Sequence, residues 1–255
     1  MSIHPTAIVA PAAVVPASCT VGPNVVLGEG CELVSHVVLD GHTTIGAGSR
    51  ICSFACVGIS PQDLKYRGEP TRVSIGERSV IREYVTISRG TEGGGGITTV
   101  GSDCLIMAYT HIGHDSHIGN GCILANAATL AGHVIVEDYA VVGALCPVHQ
   151  YCRIGTYAYI GGGTTITQDV MPYSLTSISR DNHAYGLNKV GLERRGFTPD
   201  ELKQLRTAYR LLVGGKYNTT QALEEIRAKL ATGEFGDRVQ YLADFVAASE
   251  RGVIK

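Results

Sequence analysis

An aliphatic residue recurs at every sixth position along most of this sequence, and this period constrains the fold more than any other feature. A fixed internal period is typical of stacked architectures, in which each repeat packs on its neighbours. The position holds only Ile, Val or Leu in two long runs and in three residues between them: Ile3, Val9, Val15, Val21, Leu27, Leu33, Leu39, Ile45, Ile51 and Val57; then Ile75, Ile81 and Ile87; then Val100, Ile106, Ile112, Ile118, Leu124, Leu130, Val136, Val142, Val148, Ile154, Ile160 and Ile166.

The position four residues later mostly holds a small side chain. Large aliphatic and small side chains at two inward positions suit a narrow, three-sided coil in which three hexads make a turn of 18 residues. Such turns stack at the spacing of neighbouring strands, roughly 4.8 Å. The sequence therefore predicts a mainly β fold, a parallel β-helix of hexapeptide repeats.

The cysteines follow the same register. Six of the eight occupy the small-residue position, where we expect reduced, buried side chains: Cys19, Cys31, Cys104, Cys122, Cys146 and Cys152. No CxxC pair is present, so neither a disulfide framework nor a zinc site is expected. This cysteine usage fits a reducing compartment.

The repeat predicts a β-helix over residues 1–185, with loop insertions at 59–72 and 88–98, and a C-terminal helical domain over 186–255. Thr198, Pro199 and Glu201 form a helix-start signature, and apolar residues follow at helical spacing. Two further helices are predicted at 220–230 and 238–249. The helical domain is small.

Charge and hydropathy exclude several classes of protein. The formal net charge of −2 favours neither a nucleic-acid binder nor a membrane-surface protein. No stretch approaches the roughly 20 apolar residues of a membrane span, and the N-terminus lacks the basic region of a signal peptide. We expect a cytoplasmic protein without stable membrane insertion. The basic surplus lies between Lys189 and Arg210, either as a solvated helix face or as a dock for an acidic partner.

The 18-residue turn predicts which polar residues converge. Stepping by 18 places residues 114, 132 and 150 in one column, with residues 115, 133 and 151 beside it and residues 113, 131 and 149 on its other side. The patch then contains His114, Asp115, Gly132, His133, His149 and Gln150. A polar ladder at an exposed edge is the structural alternative.

This patch suits acyl transfer to an alcohol. Neutral histidine serves as a base near pH 7, and a carboxylate beside it fixes its tautomer. A glycine lets a backbone N–H approach a developing oxyanion. His111, His114 and His117 resemble a metal site in spacing, but residues six apart lie on different faces of the prism. We therefore expect no metal and no cofactor; a metal hydratase with ligands from several turns is the alternative.

Six ordered motifs resemble those of the UDP-N-acetylglucosamine 3-O-acyltransferase family, over nearly the whole chain: QDLKYRGEPTR, IRExVTIxRGT, HIGHD, ILANxATLAGHV, VHQ and GLxRRGF. The resemblance implies a left-handed β-helix and a homotrimer with active sites between subunits. It also implies a 3-hydroxyacyl donor on acyl carrier protein, and UDP-N-acetylglucosamine as the acceptor in lipid A biosynthesis.

The resemblance implies roles for individual residues. His114 matches the catalytic base, Asp115 its partner and Gly132 the oxyanion donor. The matches for substrate contact are Asp63, Lys65, His111, His133, His149 and Gln150. Arg194 and Arg195 match basic residues near the nucleotide and the carrier protein, and Gly162 matches the position that limits acyl length.

One departure leaves the acceptor open. Ser88 stands where the family's best-known form has histidine. Relatives that acylate a 3-amino sugar are an alternative, as are other hexapeptide acyltransferases and a related glucosamine N-acyltransferase. The last usually carries an N-terminal uridine-binding domain, which we do not expect here because the repeat starts at Ile3.

Overall fold

A computed structural model describes residues 3–178 and 182–255. Short strands form three sheets that enclose a triangular prism, and the chain passes from the first to the second to the third sheet in every turn. We name the corners edge 1–2, edge 2–3 and edge 3–1, after the sheets that meet there. The fold class predicted from the sequence, a parallel β-helix with a small helical domain, is confirmed.

The strands of the three sheets have the following bounds. The first sheet has Ile8–Val9, Val26–Leu27, His42–Ile45, Arg72–Ile75, Ile97–Val100, His117–Ile118, Ile135–Val136 and Arg153–Ile154. The second has Glu32–Leu33, Arg50–Ile51, Val80–Ile81, Leu105–Ile106, Ile123–Leu124, Val141–Val142, Tyr159–Ile160, Ser174–Ile178 and Asn182–Leu187. The third has Thr20–Val21, Val38–Leu39, Cys56–Ile59, Thr86–Ser88, His111–Ile112, Thr129–Leu130 and Pro147–Val148.

The six-residue repeat determines which side chains form the core of the prism. In the uninterrupted part, successive strands pair in parallel at a spacing of 18 residues, as His111 does with Thr129 and Thr129 with Pro147. The aliphatic residue of each hexad from Val100 to Ile166 points inward and is buried. All eight cysteines are free thiols, and the six in the small-residue position are buried.

Both loop insertions leave the prism at edge 3–1. The first lies between the strands that end at Ile59 and begin at Arg72, and the second between those that end at Ser88 and begin at Ile97. The second contains a short 3₁₀ helix, Glu92–Gly94. The prism continues above and below both insertions, so the loops add to its edge without disturbing its core.

The C-terminal part begins with a feature that the hexad period does not predict. Strands Ser174–Ile178 and Asn182–Leu187 pair antiparallel at the end of the second sheet, so the predicted boundary at 185/186 falls inside a strand. The helices that follow are α1 (Lys189–Arg194), α2 (Pro199–Val213), α3 (Thr219–Ala231) and α4 (Asp237–Ala247). α1 was absent from the sequence prediction.

The start of α2 confirms the predicted cap. The Thr198 hydroxyl accepts the Glu201 N–H, and the Glu201 carboxylate accepts the Thr198 N–H. This reciprocal pair satisfies two of the N–H groups that a helix start leaves free. None of the helices in the described ranges has the length and apolarity that crossing a membrane requires.

We predict that Leu130→Ala lowers the free energy of unfolding by about 2–5 kcal/mol, because Leu130 is fully buried and its removal leaves a cavity. Thr129→Ala is the matched control on the same strand; Thr129 is exposed and its loss should cost within about 0.5 kcal/mol. Urea unfolding at one fixed protein concentration measures both. Equal losses in the two variants would contradict the assignment of inward and outward positions.

Candidate active site

Edge 3–1 brings the predicted polar patch together. Asp115, His133 and Tyr151 occupy the same corner position in three successive turns, with φ angles of 58°, 62° and 64°. The His133 N–H donates to the His114 carbonyl at 2.9 Å, and the Tyr151 N–H donates to the Gly132 carbonyl at 3.3 Å. The predicted columns therefore lie side by side on one edge.

His114 and Asp115 form the centre of the patch. Nδ1 of His114 lies 2.8 Å from Oδ2 of Asp115, and the side chains are 17% and 0% exposed. Asp115 also accepts the Thr91 N–H at 2.9 and 3.0 Å and the Thr91 hydroxyl at 2.6 Å. A carboxylate that accepts these donors is an acceptor for His114 as well, so the proton of the neutral ring is on Nδ1. Nε2 keeps its lone pair and can act as a base.

Gly132 lies against the other side of the His114 ring. A Cβ at Gly132 would lie 2.7 Å from Nε2, so the absence of a side chain makes room for the ring. In the described parts of the chain, the Gly132 N–H donates to no acceptor. A free backbone donor therefore lies close to the basic nitrogen, which is the arrangement that stabilises an oxyanion beside a base.

Two further histidines flank His114. Nδ1 of His111 lies 2.7 Å from the Thr86 hydroxyl, and burial, with the nearby His114, lowers the pKa of His111. The His133 ring meets His114 edge-on at 5.0 Å and stacks on Tyr151 at 4.5 Å. Burial also lowers the pKa of His133, against the opposing effect of the Asp115 charge. Both rings are therefore neutral near pH 7.

The first insertion contributes to the same edge. Asp63 is close enough to His133 to raise its pKa electrostatically, in opposition to the larger effect of burial. Oδ1 of Asp63 accepts the Lys65 N–H at 2.9 Å, which holds the turn of the loop. The Lys65 side chain is exposed. The first insertion and the polar patch therefore lie together on edge 3–1.

His149 and Gln150 lie one turn further along the same edge. Arg251, which the sequence analysis did not identify, contacts His149. Nη2 of Arg251 lies 3.2 Å from Nδ1 of His149 and also donates to the Thr167 carbonyl at 3.2 Å. The C-terminal segment thus packs back on the end of the prism, where Asp169 and Val253 form a bridge. No hexad period extends to position 251, so the sequence held no signal for this contact.

Three of the residues predicted to contact substrate do not reach this patch in the single chain. Gly162 is an exposed corner residue at edge 2–3. Arg194 and Arg195 line an apolar cleft of about 830 Å³ on the second sheet, and the Arg195 guanidinium lies 4.3 Å from the Tyr139 ring centroid at edge 1–2. A single chain therefore does not bring these three residues to His114.

The patch also contains one candidate metal cluster within the described residues. Ligand atoms of His114, Asp115 and His133 lie within 4.8 Å of one another. Both Asp115 oxygens already accept hydrogen bonds from Thr91, and Nδ1 of His114 is paired with Asp115. The donor set is thus arranged to orient a histidine. His111 and His117 lie on different sheets, as the sequence predicted.

Comparison with known proteins identifies relatives along the whole chain. Residues 169–254 match the family model described as UDP-N-acetylglucosamine O-acyltransferase, domain 2. Residues 97–132 match the model of the bacterial transferase hexapeptide, with six repeats. The chain is 47% identical to the acyl-[acyl-carrier-protein]–UDP-N-acetylglucosamine O-acyltransferase of Syntrophobacter fumaroxidans, over 100% of both proteins.

Solved structures agree with these matches. The UDP-N-acetylglucosamine acyltransferase of Francisella novicida has 37% identity and a TM-score of 0.86, over 99% of this chain and 93% of that chain. That of Bacteroides fragilis has 33% identity and a TM-score of 0.85, over 99% of this chain and 100% of that chain. The likeness therefore includes the helical domain as well as the prism.

We predict that His111 and His133 titrate below the usual histidine pKa of about 6.5, because burial disfavours their charged forms. A histidine whose folded pKa is lowered contributes stability above the unfolded pKa and loses it as pH falls. The folded state should therefore lose stability as pH drops below about 6.5. NMR titration of the assigned histidine resonances measures both pKa values. A pKa at or above 6.5 for His111 would contradict the prediction.

Proposed function

Because this chain belongs to the UDP-N-acetylglucosamine O-acyltransferase family, a family of acyltransferases, we propose that it transfers a 3-hydroxyacyl group from acyl carrier protein to the 3-position of UDP-N-acetylglucosamine. This reaction is the first acylation of lipid A biosynthesis. The observation that carries the proposal is the His114–Asp115 pair with Nε2 free beside Gly132.

His114 acts as the general base in the proposed reaction. Nε2 accepts the proton of the 3-hydroxyl while that oxygen attacks the carbonyl carbon of the thioester. The new C–O bond makes the carbonyl oxygen an oxyanion, which the Gly132 N–H stabilises. Collapse of this intermediate breaks the C–S bond, and the imidazolium returns the proton to the leaving thiolate. Asp115 remains ionised and stabilises the imidazolium.

The acyl group moves directly to the acceptor in this mechanism, without an acyl-enzyme. Cys146 and Cys152, the thiols closest in sequence to His149 and Gln150, are fully buried inside the prism. The Ser116 hydroxyl is also buried and donates to the Ala131 carbonyl at 3.1 Å. Since these side chains face the core, they do not reach a thioester at the edge. Direct attack by the sugar hydroxyl needs no protein nucleophile.

The remaining residues of edge 3–1 bind the substrates in this proposal. His111, His133, His149 and Gln150 line the sugar and acyl positions around His114. Asp63 and Lys65, on the first insertion, contact the acceptor. Neutral histidines can donate or accept hydrogen bonds with a sugar, whereas charged ones only donate.

A trimer explains why Gly162, Arg194 and Arg195 lie apart from His114. Edge 2–3 carries a ladder of exposed rings, His36, Phe54, Tyr84 and Tyr109, stacked at centroid distances of 4.9–5.1 Å. Phe54 is 44% exposed and Tyr109 62%, and Leu145 on the same edge is 69% exposed. An apolar column of this kind marks an interaction surface.

We propose that edge 2–3 lies on a threefold axis. The second and third sheets meet at this edge, so the third sheet of one protomer would face the second sheet of the next. His111 on the third sheet would then face the apolar cleft that Arg194 and Arg195 border. The cleft suits an acyl chain, and its arginines suit the nucleotide phosphates or the acidic carrier protein. Gly162 at edge 2–3 matches the family position that limits acyl length, and in this proposal its missing side chain leaves the end of the acyl groove open.

Ser88 leaves a second acceptor open, a 3-amino UDP-sugar, because the family's best-known form has histidine at this position. Its hydroxyl is buried, and its oxygen has no hydrogen-bond partner in the described ranges. Ser88 lies two residues after Thr86, which pairs with His111, so it is close to the patch. Mass spectrometry of the products from an equimolar mixture of the two acceptors decides between them.

We predict that His114→Ala lowers kcat by roughly 10²–10⁴-fold while the protein stays folded, because the general base is lost. His117→Ala is the matched control, since His117 lies three residues away on the first sheet and takes no part in the proposed chemistry. Product formation from 3-hydroxyacyl carrier protein and UDP-N-acetylglucosamine is measured by mass spectrometry. Turnover near wild type in the His114 variant would refute the proposed base.

We predict that the wild-type chain is a trimer and that Tyr109→Arg dissociates it, because three like charges would meet on the axis. Ile8→Arg is the control: Ile8 is 65% exposed, but it lies on the first sheet, away from edge 2–3. Light scattering at micromolar protein measures the mass of each. A monomeric wild type, or dissociation by Ile8→Arg alone, would contradict the placement of the axis.

A further inference from the structure

The second insertion encloses the Asp115 carboxylate. The Thr91 N–H is shared between the two carboxylate oxygens at 2.9 and 3.0 Å, and the Thr91 hydroxyl donates to Oδ2 at 2.6 Å. These donors are buried together with Asp115, whose side chain is 0% exposed. Because hydrogen bonds to a buried charge are among the strongest in proteins, Thr91 fixes where the carboxylate lies.

The glycines of this loop allow the enclosure. A Cβ at Gly94 would overlap the Asp115 carboxylate, and a Cβ at Gly90 would lie 2.8 Å from Oδ1. A Cβ at Gly93, one residue before Gly94, would meet nothing within 4 Å. The loop therefore packs its backbone against the carboxylate at particular glycines and not along its whole length.

The backbone of Asp115 is held as well. Its N–H donates to the Thr98 hydroxyl at 2.8 Å, and its φ of 58° lies in the left-handed region that a corner of the prism requires. Backbone and carboxylate are thus both fixed, and Oδ2 points at Nδ1 of His114. Within residues 3–178 and 182–255, Nδ1 of the His114 ring has no hydrogen-bond partner other than Asp115, so the ring's tautomer depends on this one carboxylate.

We propose that the loop of residues 90–96 is a positioning element for Asp115, with Thr91 as its main contact and Gly94 as the residue that lets it close. This inference rests on the proposed role of His114 as the general base and deepens it. Thr91 is a positioning residue: it reaches the reacting atoms only through Asp115 and His114. Loss of its hydroxyl should therefore lower kcat and leave KM for the acceptor unchanged.

The pH profile separates positioning from a structural role. Without the Thr91 hydroxyl, the Asp115 charge is less stabilised by the loop and attracts the His114 imidazolium more strongly. The acid limb of the kcat/KM profile should then move to higher pH. The other titratable groups around the two rings include His111, which is near His114, and Asp63, His117 and Tyr151, which are near His133; the substitution touches none of them.

The first test compares Thr91→Val, which keeps the shape but removes the donor, with Thr91→Ser, which keeps the donor. We expect Thr91→Val to lower kcat about 10- to 100-fold, which corresponds to about 1.4–2.7 kcal/mol of transition-state stabilisation. Thr91→Ser should stay within about threefold of wild type. Thr43→Val is the control, because Thr43 is a buried threonine whose hydroxyl donates to the Asp40 carbonyl. Wild-type kcat and an unshifted acid limb in Thr91→Val would overturn the proposal.

The second test uses the neighbouring glycines, so that it does not depend on the folding of one variant. Gly94→Ala should lower kcat and shift the acid limb, because its methyl group would displace the carboxylate. Gly93→Ala, in the same loop, should match wild type. Equal activity of these two variants, both folded by circular dichroism, would count against the enclosure.

The third test separates this inference from the proposed function. In a His114→Ala background, Thr91→Val should cause no further loss, since Thr91 acts only through His114. An additional loss of the same size as in the wild-type background would indicate a role elsewhere and overturn the inference. If His114→Ala itself retains turnover, the proposed base is wrong. If it loses turnover while Thr91→Val and Gly94→Ala do not, the base stands and only the positioning loop is wrong.

Discussion

The backbone hydrogen bonds between successive turns are the interaction on which the rest of this structure depends. Outside the two insertions, strands of the prism pair with the strand 18 residues later, so a residue's column is fixed once the repeat is in register. A slip of one residue would turn the aliphatic position outward, at a cost in every hexad. This rigidity is why His114, Gly132 and Gln150, far apart in the chain, can share one column without a loop to hold them.

The small-residue position has a second function that size alone did not suggest. Cys104 donates its thiol to the Gly119 carbonyl at 3.1 Å, Cys122 to the Glu137 carbonyl at 3.1 Å, and Ser116 to the Ala131 carbonyl at 3.1 Å. In each case the acceptor lies 15 residues ahead, at the corner of the next turn. A carbonyl turned into an apolar core needs a donor. Thiols and hydroxyls are thus small enough for the narrow prism and also satisfy its corner carbonyls.

Much of the fold and of the patch could be predicted because both follow from one period. The columns that contain His114 and Asp115 needed only the turn length, and the cap at Thr198 needed only local helix chemistry. The contacts of Thr91 and Arg251 could not be predicted in this way. Thr91 belongs to an insertion, where the period is broken and the path of the loop is unspecified. Arg251 follows four helices whose docking on the prism depends on packing between faces.

The three edges of the prism carry different features, and these differences bear on where a second surface could meet the candidate site. Edge 1–2 is occupied by the helical domain, as the stacking of Arg195 on Tyr139 shows. Edge 2–3 carries stacked rings that remain exposed, such as Tyr109. Edge 3–1 carries both insertions and His114, the proposed base. A straight, three-sided prism has no concave surface of its own, because each face is nearly flat and each edge is convex. A deep cleft on such a prism therefore needs a second surface, which the insertions supply in part and, in the proposed trimer, a neighbouring protomer would complete.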